Sequence, residues 1–263
     1  MGAIRALWAY RGFILGNVKR EFQTKYRNSL LGAAWNIINP LSMIVVYTVI
    51  FSQLMKSRLP GVEGTYAFSI YLCTGILIWG LFAEISTRAT GMFLEHANLL
   101  KKISFPRLCL PVTVVSNALL NFTIVFGLFV LFLVLSGSFP GWVFIALGPL
   151  LLLLTALAIA IGLNLGVLNV FFRDVGQFFC IFLSFWFWFT PIVYPANILP
   201  EAVQHLMNYN PMARLVKAFQ DVVVMGHWPD WYSLWPVAVL TVILSATGLR
   251  LFYRNIGEMV DEL

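Results

Sequence analysis

One stretch near the beginning of the chain constrains its fold more than any other. Within Lys19–Pro40, a basic segment passes directly into a run from Leu30 to Leu54 that contains no charged residue. A helix needs about 20 apolar residues to cross about 30 Å of hydrocarbon, and cations beside a span stay on the cytoplasmic side. The pattern therefore predicts a first membrane span oriented by the cations Lys19, Arg20, Lys25 and Arg27.

The composition places most of the chain in the membrane. Of 263 residues, 60% are hydrophobic and only 11% are charged, whereas a soluble domain carries about 25% charged residues. The net charge of +6 does not indicate nucleic-acid binding, because the cations cluster beside apolar runs. We expect a single membrane domain over residues 1–263.

Six apolar runs predict an all-α integral membrane protein with six transmembrane helices. The predicted spans are 31–54, 66–85, 112–135, 142–172, 178–194 and 231–252. With six spans both termini are cytoplasmic, and thirteen cations then lie inside against four outside, which is the expected bias. The four outside are Lys56, Arg58, Arg214 and Lys217. The basic residues that interrupt the N-terminal apolar pattern argue against a signal peptide.

Three segments are predicted to lie outside the spans. Residues 4–27 have apolar positions at a helical period and suit an amphipathic helix in the interface. Residues 92–107, on the cytoplasmic side, predict a short helix that ends before Pro106, either a docking element or a solvated loop helix. Residues 199–226, on the external side, predict two short re-entrant or surface helices, 200–209 and 211–225, with Asn210 capping the second.

Several kinds of chemistry are absent from the sequence. No Gly-Lys pair exists, so there is no P-loop for ATP. His96, His205 and His227 are scattered and form no metal or triad pattern, and we expect no catalytic or metal-binding residues.

Glu84, near the end of a span, is expected to pair with Arg88. Cys73, Cys109 and Cys180 are expected to be buried thiols without a disulfide. The sequence indicates a permease-like domain without its own energy source.

The fifth span has the most informative side chains. Phe178, Phe182, Phe185, Trp186 and Phe189 fall on one predicted stripe. Flat aromatic faces suit the passage of sugar rings, although an interfacial aromatic belt facing lipid explains the same residues. In the fourth span, Gly162 and Gly166 form a G-x-x-x-G pattern that predicts close helix packing.

A series of short motifs in a fixed order resembles the permease subunits of bacterial polysaccharide ABC exporters of the Wzm-like type. These subunits serve O-antigen, capsule and teichoic-acid export. The motifs run over nearly the whole chain: Val18–Glu21, Tyr26–Arg27, Ser29–Gly32 through Trp35 and Pro40, Asn98–Arg107, Leu110–Pro111, Asn169–Asp174, Thr190–Pro195 and Asn210–Met212.

The resemblance implies partners and roles. It implies a homodimer in the bacterial inner membrane, joined to two separate Wzt-like ATPase subunits that hold ATP and Mg, while this chain binds no cofactor. The cargo would be a polysaccharide on undecaprenyl diphosphate, most often an O-antigen.

Spans one and five would line the channel, with Trp35 and the span-five aromatics facing glycan. Lys19, Arg20, Lys25 and Arg27 would lie near the carrier's diphosphate. Coupling to the ATPase would involve Glu95, Asn98, Leu99, Lys101, Lys102, Arg173 and Asp174. The external gate would include Tyr209, Pro211 and Arg214.

Other functions remain open at this point. The same architecture serves capsule, teichoic-acid, drug and small-lipid exporters. A membrane glycosyltransferase or ligase is a rival from a different class, and it would need acids near the external surface. Glu201, Asp221 and Asp230 are available there but form no recognisable pair in the sequence.

Overall fold

Helices make up the secondary structure of the computed structural model, which describes residues 10–26, 34–47, 49–50, 66–101, 109–196 and 199–263. No strand occurs within these residues. The helices are α1 (Arg11–Tyr26), α2 (Trp35–Tyr47), α3 (Ala67–Glu95), α4 (Ala97–Leu100), α5 (Cys109–Leu135), a 3-10 segment (Gly141–Ala146), α6 (Leu147–Phe171), α7 (Asp174–Trp188), α8 (Glu201–Met207), α9 (Pro211–Val224) and α10 (Trp231–Glu262).

Among the described residues, four helical segments are long and apolar enough to cross a membrane. They are Ala67–Glu95, Cys109–Leu135, Gly141–Phe171 and Trp231–Glu262. They correspond to the second, third, fourth and sixth predicted spans. The first and fifth correspond to the shorter helices α2, with 13 residues, and α7, with 15 residues. The predicted first span also includes residues outside the described set.

Two helices extend beyond the predicted membrane spans because tertiary packing prolongs them. α3 continues ten residues past the predicted end at Ile85, since Ala89, Met92 and Phe93 are buried in an apolar cluster. The predicted helix in 92–107 is therefore reduced to the four residues of α4, while residues 102–108 lie outside the described set. α10 also extends to Glu262, because Phe252 and Met259 join the same cluster.

α3 is the central helix, packed against α5, α6, α7 and α9. Its closest approach is to α6, as the G-x-x-x-G pattern predicted. A Cβ atom placed on Gly162 would lie 2.4 Å from the Cβ of Ala89, and one on Gly166 would lie 2.7 Å from the Ala89 carbonyl oxygen. The two backbones approach to a distance that only glycine permits.

On its other side α6 is joined to α10. Asn164 donates hydrogen bonds to the carbonyl oxygens of Ala160, at 2.8 Å, and Leu244, at 2.7 Å. Gly248 lets the helices meet here, because a Cβ at that position would lie 2.8 Å from the Asn164 amide nitrogen. An inter-helix amide bond of this kind fixes the register of two helices in apolar surroundings.

Chain direction defines two ends of this bundle. α4 follows the C-terminus of α3 and contributes Leu100 to a cluster with Phe93, Val170 and Phe252, and we call this side the α4 end. α9 packs on α3 at the opposite side, which we call the α9 end. α7 begins at the α4 end and finishes at the α9 end.

Two of the three cysteine predictions are confirmed. Cys73 and Cys109 are buried, and all three thiols are free. The prediction for Cys180 was wrong, because its position on α7 faces outward.

Candidate functional site

An exposed aromatic stripe runs the length of α7. Phe178, Phe182, Phe185 and Phe189 recur at three- and four-residue intervals, which places them on one face of a helix. Their exposed fractions are 71%, 45%, 63% and 63%, whereas Phe179 and Leu183 on the opposite face are buried. An apolar face of this extent exceeds what a chain usually presents to water, so it is covered by lipid, by another subunit or by cargo.

Trp186, which the sequence placed on the same stripe, points into the bundle instead. Its ring packs edge-on against Trp79 at 6.0 Å and against Phe82 at 5.3 Å, measured between ring centroids. Its indole nitrogen donates a hydrogen bond of 2.9 Å to the Asn210 side-chain oxygen. Trp186 therefore fastens the end of α7 to the bundle.

Asn210 joins the end of α7 to the start of α9. Its side-chain oxygen accepts hydrogen bonds from the backbone nitrogen of Met212, at 3.0 Å, and from Trp186. Its amide nitrogen donates to the carbonyl oxygen of Phe189 and the hydroxyl of Thr190, both at 3.1 Å. The predicted N-cap is confirmed, and the two donated bonds and the bond from Trp186 were not foreseen.

α9 is held firmly in place. Pro211 occupies the first turn, as predicted, and one face of the helix buries residues that include Leu215, Val216 and Phe219. Arg214 donates to the carbonyl oxygens of Asn208 and Ser233, each at 2.6 Å, and so joins α9 to α10. Tyr209 just before the helix is 85% exposed.

A cleft of about 760 Å³ lies between α8, α9 and the segment that follows α7. α8 buries no residue at all, in contrast to α9. Polar side chains from both helices and from the link between them line the cleft: Glu201, Gln204, His205, Asn208, Arg214, Lys217, Gln220 and Asp221. Burial raises the pKa of the Asp221 carboxyl above its ordinary value, and the neighbouring Lys217 opposes this shift.

The predicted coupling residues lie at the α4 end. Glu95, Asn98 and Lys101 are exposed, whereas Leu99 packs partly against the cluster that contains the buried Leu100. Lys102 lies outside the described residues. α4 thus presents polar groups outward, while Leu100 is buried in an apolar cluster that includes residues of α3, α5, α6 and α10.

Arg173 and Asp174 form a second exposed group at the same end, at the start of α7. Asp174 lies in the first helical turn, where a negative charge is favourable. Just before them, Asn169 donates to the Thr90 carbonyl oxygen at 3.1 Å and accepts from the Gly176 backbone nitrogen at 2.8 Å. Asn169 therefore joins α3, α6 and α7, and α7 is held by an asparagine at each end.

The basic helix α1 is attached to the bundle by an acid. Glu21 forms an ion pair with Arg88 and accepts a hydrogen bond from Asn117. Arg88 also pairs with Glu84 at 3.4 Å, which confirms the predicted pair, and Asn121 donates to Glu84 at 3.1 Å.

Two of the four candidate cations near α1 have described side chains. Lys19 and Arg20 are exposed. Lys25 lies within the helix, and Arg27 lies outside the described residues. Trp35, at the start of α2, is 49% exposed and begins a second apolar outer face with Leu41 and Val45.

Sequence reasoning missed the asparagines that join helices, namely Asn117, Asn121, Asn164 and Asn169. An isolated amide within an apolar span is itself a signal, because such groups seek partners in neighbouring helices. The sequence does not show which group each asparagine side chain hydrogen-bonds. Among the described residues, no group of three metal-ligating side chains occurs.

Comparison with known proteins gives consistent matches over the length of the chain. The sequence profile described as "ABC-2 type transporter" matches residues 14–224. An O-antigen export system permease protein, RfbA, of Myxococcus xanthus is 28% identical over 262 residues, covering 99% of this chain and 98% of that protein. An RfbA of Klebsiella pneumoniae is 28% identical over 89% of this chain and 88% of its own. The polysialic acid transport protein KpsM of Escherichia coli is 24% identical, covering 89% of each chain.

Proposed function

Because the chain belongs to the ABC-2 type transporter family, we propose that it is the membrane permease of an ATP-driven polysaccharide exporter. The observation that carries this proposal is the match to an O-antigen export permease over 99% of this chain and 98% of the relative. A match that leaves neither chain with a large unmatched part supports a shared activity, beyond a shared fold. O-antigen is the favoured cargo because those relatives are more similar, at 28%, than the polysialic acid transporter, at 24%.

We further propose the assembly and topology that such an exporter requires. Six spans, with α2 and α7 as parts of the first and fifth, place both termini and the α4 end in the cytoplasm and the α9 end outside. Two copies of the chain form a homodimer in the inner membrane, and two ATPase subunits dock at the α4 end. The direction of α7 between the two ends supports the fifth span, and the cation distribution supports the orientation.

In this assembly the exposed aromatic stripe of α7 and the outer face of α2 line the passage. The stripe offers flat apolar surface without fixed charge, which lets a hydroxyl-rich chain slide past without tight binding at any one point. The carrier's diphosphate is expected near the cations of α1, where Lys19 and Arg20 are exposed. The segment with Tyr209, Pro211 and Arg214 forms the outer rim.

Force enters through α4 and the start of α7. Leu100 is buried among four helices, so a displacement of α4 is passed to the bundle. Reversing the charge of Lys101 and Lys102 should reduce ATPase recruitment to membranes and stop export. Arg254→Glu is the matched control, because Arg254 is exposed near the same end of the bundle but lies on α10. Unchanged recruitment and export in the Lys101/Lys102 variant would remove α4 from the coupling contact.

The proposed function is tested by deleting the gene. We expect one surface polysaccharide to disappear while its lipid-linked precursor accumulates in the inner membrane, and the wild-type gene to restore export. The identity of the lost polymer decides between O-antigen and capsule. A deletion strain with normal surface glycans and no accumulated precursor would contradict the proposal. Turnover of a lipid-linked sugar by the purified chain alone would instead favour a glycosyltransferase or ligase.

A further inference from the structure

The cleft between α8 and α9 has a lining suited to a hydroxyl-rich ligand. Glu201 and Asp221 supply two carboxylates, and Arg214 and Lys217 supply two cations, so these four side chains carry no net charge. Because the two carboxylates offset the two cations, the cleft offers no net electrostatic attraction to a phosphate or another polyanion. Sugar hydroxyls both donate and accept hydrogen bonds, and they match a surface that presents both kinds of partner.

The polar groups of the cleft are available for such a ligand. Within the described residues, the side chains of Glu201, His205, Lys217 and Asp221 make no hydrogen bond or ion pair to one another or to other groups. Arg214 is already engaged, because it donates hydrogen bonds to the backbone carbonyl oxygens of Asn208 and Ser233. Asp221 is only partly exposed, and a partly buried carboxylate without a hydrogen-bonding partner gains from a donor that enters the cleft.

The two walls of the cleft differ in how firmly they are held. α9 is fixed by its buried face and by Asn210. α8 buries none of its residues, so it can move relative to α9 without exposing the apolar core. The width of the cleft can therefore adjust to a chain that passes through it.

The position of the cleft connects it with the aromatic stripe. Phe189 is the last residue of the stripe, and Pro191, two residues later, already lines the cleft. A glycan that follows α7 towards the α9 end reaches the cleft next.

We propose that the cleft between α8 and α9 is an exit subsite that binds uncharged or zwitterionic sugar units of the glycan as it leaves the passage. This proposal rests on the proposed function, because it takes the cargo to be a polysaccharide and the α9 end to be external. It adds a specific binding step that the family assignment does not contain: hydroxyls pair with Lys217 and Asp221 on the fixed wall, and α8 forms the movable wall that faces them.

Photo-cross-linking in living cells tests the subsite with the exporter's own cargo. The photoreactive residue p-benzoylphenylalanine is introduced at His205, which is exposed in the cleft, and separately at Tyr232, which is 82% exposed near the α9 end but does not line the cleft. After irradiation, the purified chain is probed with serum against the strain's surface polysaccharide. We expect a glycan adduct at position 205 and at least about tenfold less at position 232.

A second variant separates specific binding from mere proximity. Combining the probe at position 205 with Lys217→Gln and Asp221→Asn removes two charged partners at nearly constant size. We expect the adduct to fall about tenfold, as for the loss of at least one charge-assisted hydrogen bond. A probe at Glu201, on the same wall, serves as the second position if the His205 variant does not reach the membrane.

The outcomes separate this proposal from the proposed function. Equal adducts at 205 and 232, an adduct insensitive to the two substitutions, or no adduct at 205 and 201 while export continues would each overturn the subsite and leave the exporter intact. Export is scored by surface polysaccharide in the same cells. If deletion of the gene changes no surface glycan, it is the proposed function that fails.

Discussion

Replacing Gly162 by alanine tests the helix contact on which the bundle depends. The added Cβ would lie 2.4 Å from the Cβ of Ala89 and 2.9 Å from the carbonyl oxygen of Ser86. Carbon atoms in contact are normally about 3.5–4.0 Å apart, so α3 and α6 must separate by about 1 Å where they pack most closely. Overpacking of this kind costs about 1–3 kcal/mol.

The assay is the thermal midpoint of the purified chain in detergent. A loss of about 2 kcal/mol lowers the midpoint by about 4–8 °C in a chain of roughly this size. Gly148→Ala is the matched control, because it lies on the same helix and its Cβ would meet nothing within 4 Å. Since alanine favours a helix over glycine by about 1 kcal/mol, the control should leave the midpoint unchanged or raise it.

A second substitution tests whether the contact with Ala89 causes the loss of stability. Ala89→Gly removes the nearer of the two contacts, so it should recover part of the loss in the Gly162→Ala background while the contact with the Ser86 carbonyl oxygen remains. A Gly162→Ala midpoint equal to that of Gly148→Ala, or the absence of any recovery, would refute the packing described for α3 and α6.

Three further predictions concern the polar contacts. Asn210→Ala should lower the free energy of unfolding by about 2 kcal/mol, because it removes the helix cap, the bond from Trp186 and the two bonds donated to Phe189 and Thr190. Asn210→Asp loses the two donated bonds but keeps both acceptor roles, so its loss should be smaller. Arg88→Met should cost about 1 kcal/mol, as expected for partly exposed ion pairs, and added salt should shrink the difference from wild type. Asp221→Asn should stabilise the chain at pH 8 and have no effect well below pH 3.8, because burial raises the pKa of this carboxyl from its ordinary value of 3.8 and so disfavours only its ionised form, whose share grows as the pH rises.

Each of these has a result that would count against it. Equal losses for the two Asn210 variants would mean that the cap and the Trp186 bond contribute nothing. A salt-independent loss for Arg88→Met would point to packing and away from charge. An Asp221→Asn gain that is larger at pH 4 than at pH 8 would reverse the sign derived from burial.

The sequence predicted what depends on local pattern. The cap at Asn210, the Glu84–Arg88 pair and the close approach at Gly162 and Gly166 all follow from residue type and spacing, and the structure confirms each. Four of the six predicted spans correspond to helices long enough to cross a membrane.

What the sequence could not predict depends on which surfaces meet. Trp186 fits a helical stripe by spacing, but its indole nitrogen finds the Asn210 oxygen 24 residues later, and this contact turns it inward. α3 continues past Ile85 because the burial of Met92 and Phe93 outweighs the polar residues between them and the span. Cys180 lies in an apolar run of the sequence, which predicts a buried thiol, yet it lies on the outward face of α7. Periodicity gives the faces of a helix, and only packing decides which face is covered.

ATP-driven translocation in a defined system tests whether this chain is the permease of the exporter. Vesicles are prepared with this chain, its ATPase partner and the lipid-linked glycan isolated from the deletion strain. ATP is added outside, where it reaches transporters whose ATPase subunits face outward. We predict that glycan becomes protected from an added glycosidase only when ATP, the ATPase and the wild-type chain are all present. Protection that develops equally without this chain, or ATP hydrolysis that leaves the glycan fully accessible, would contradict the assignment of the chain as the permease.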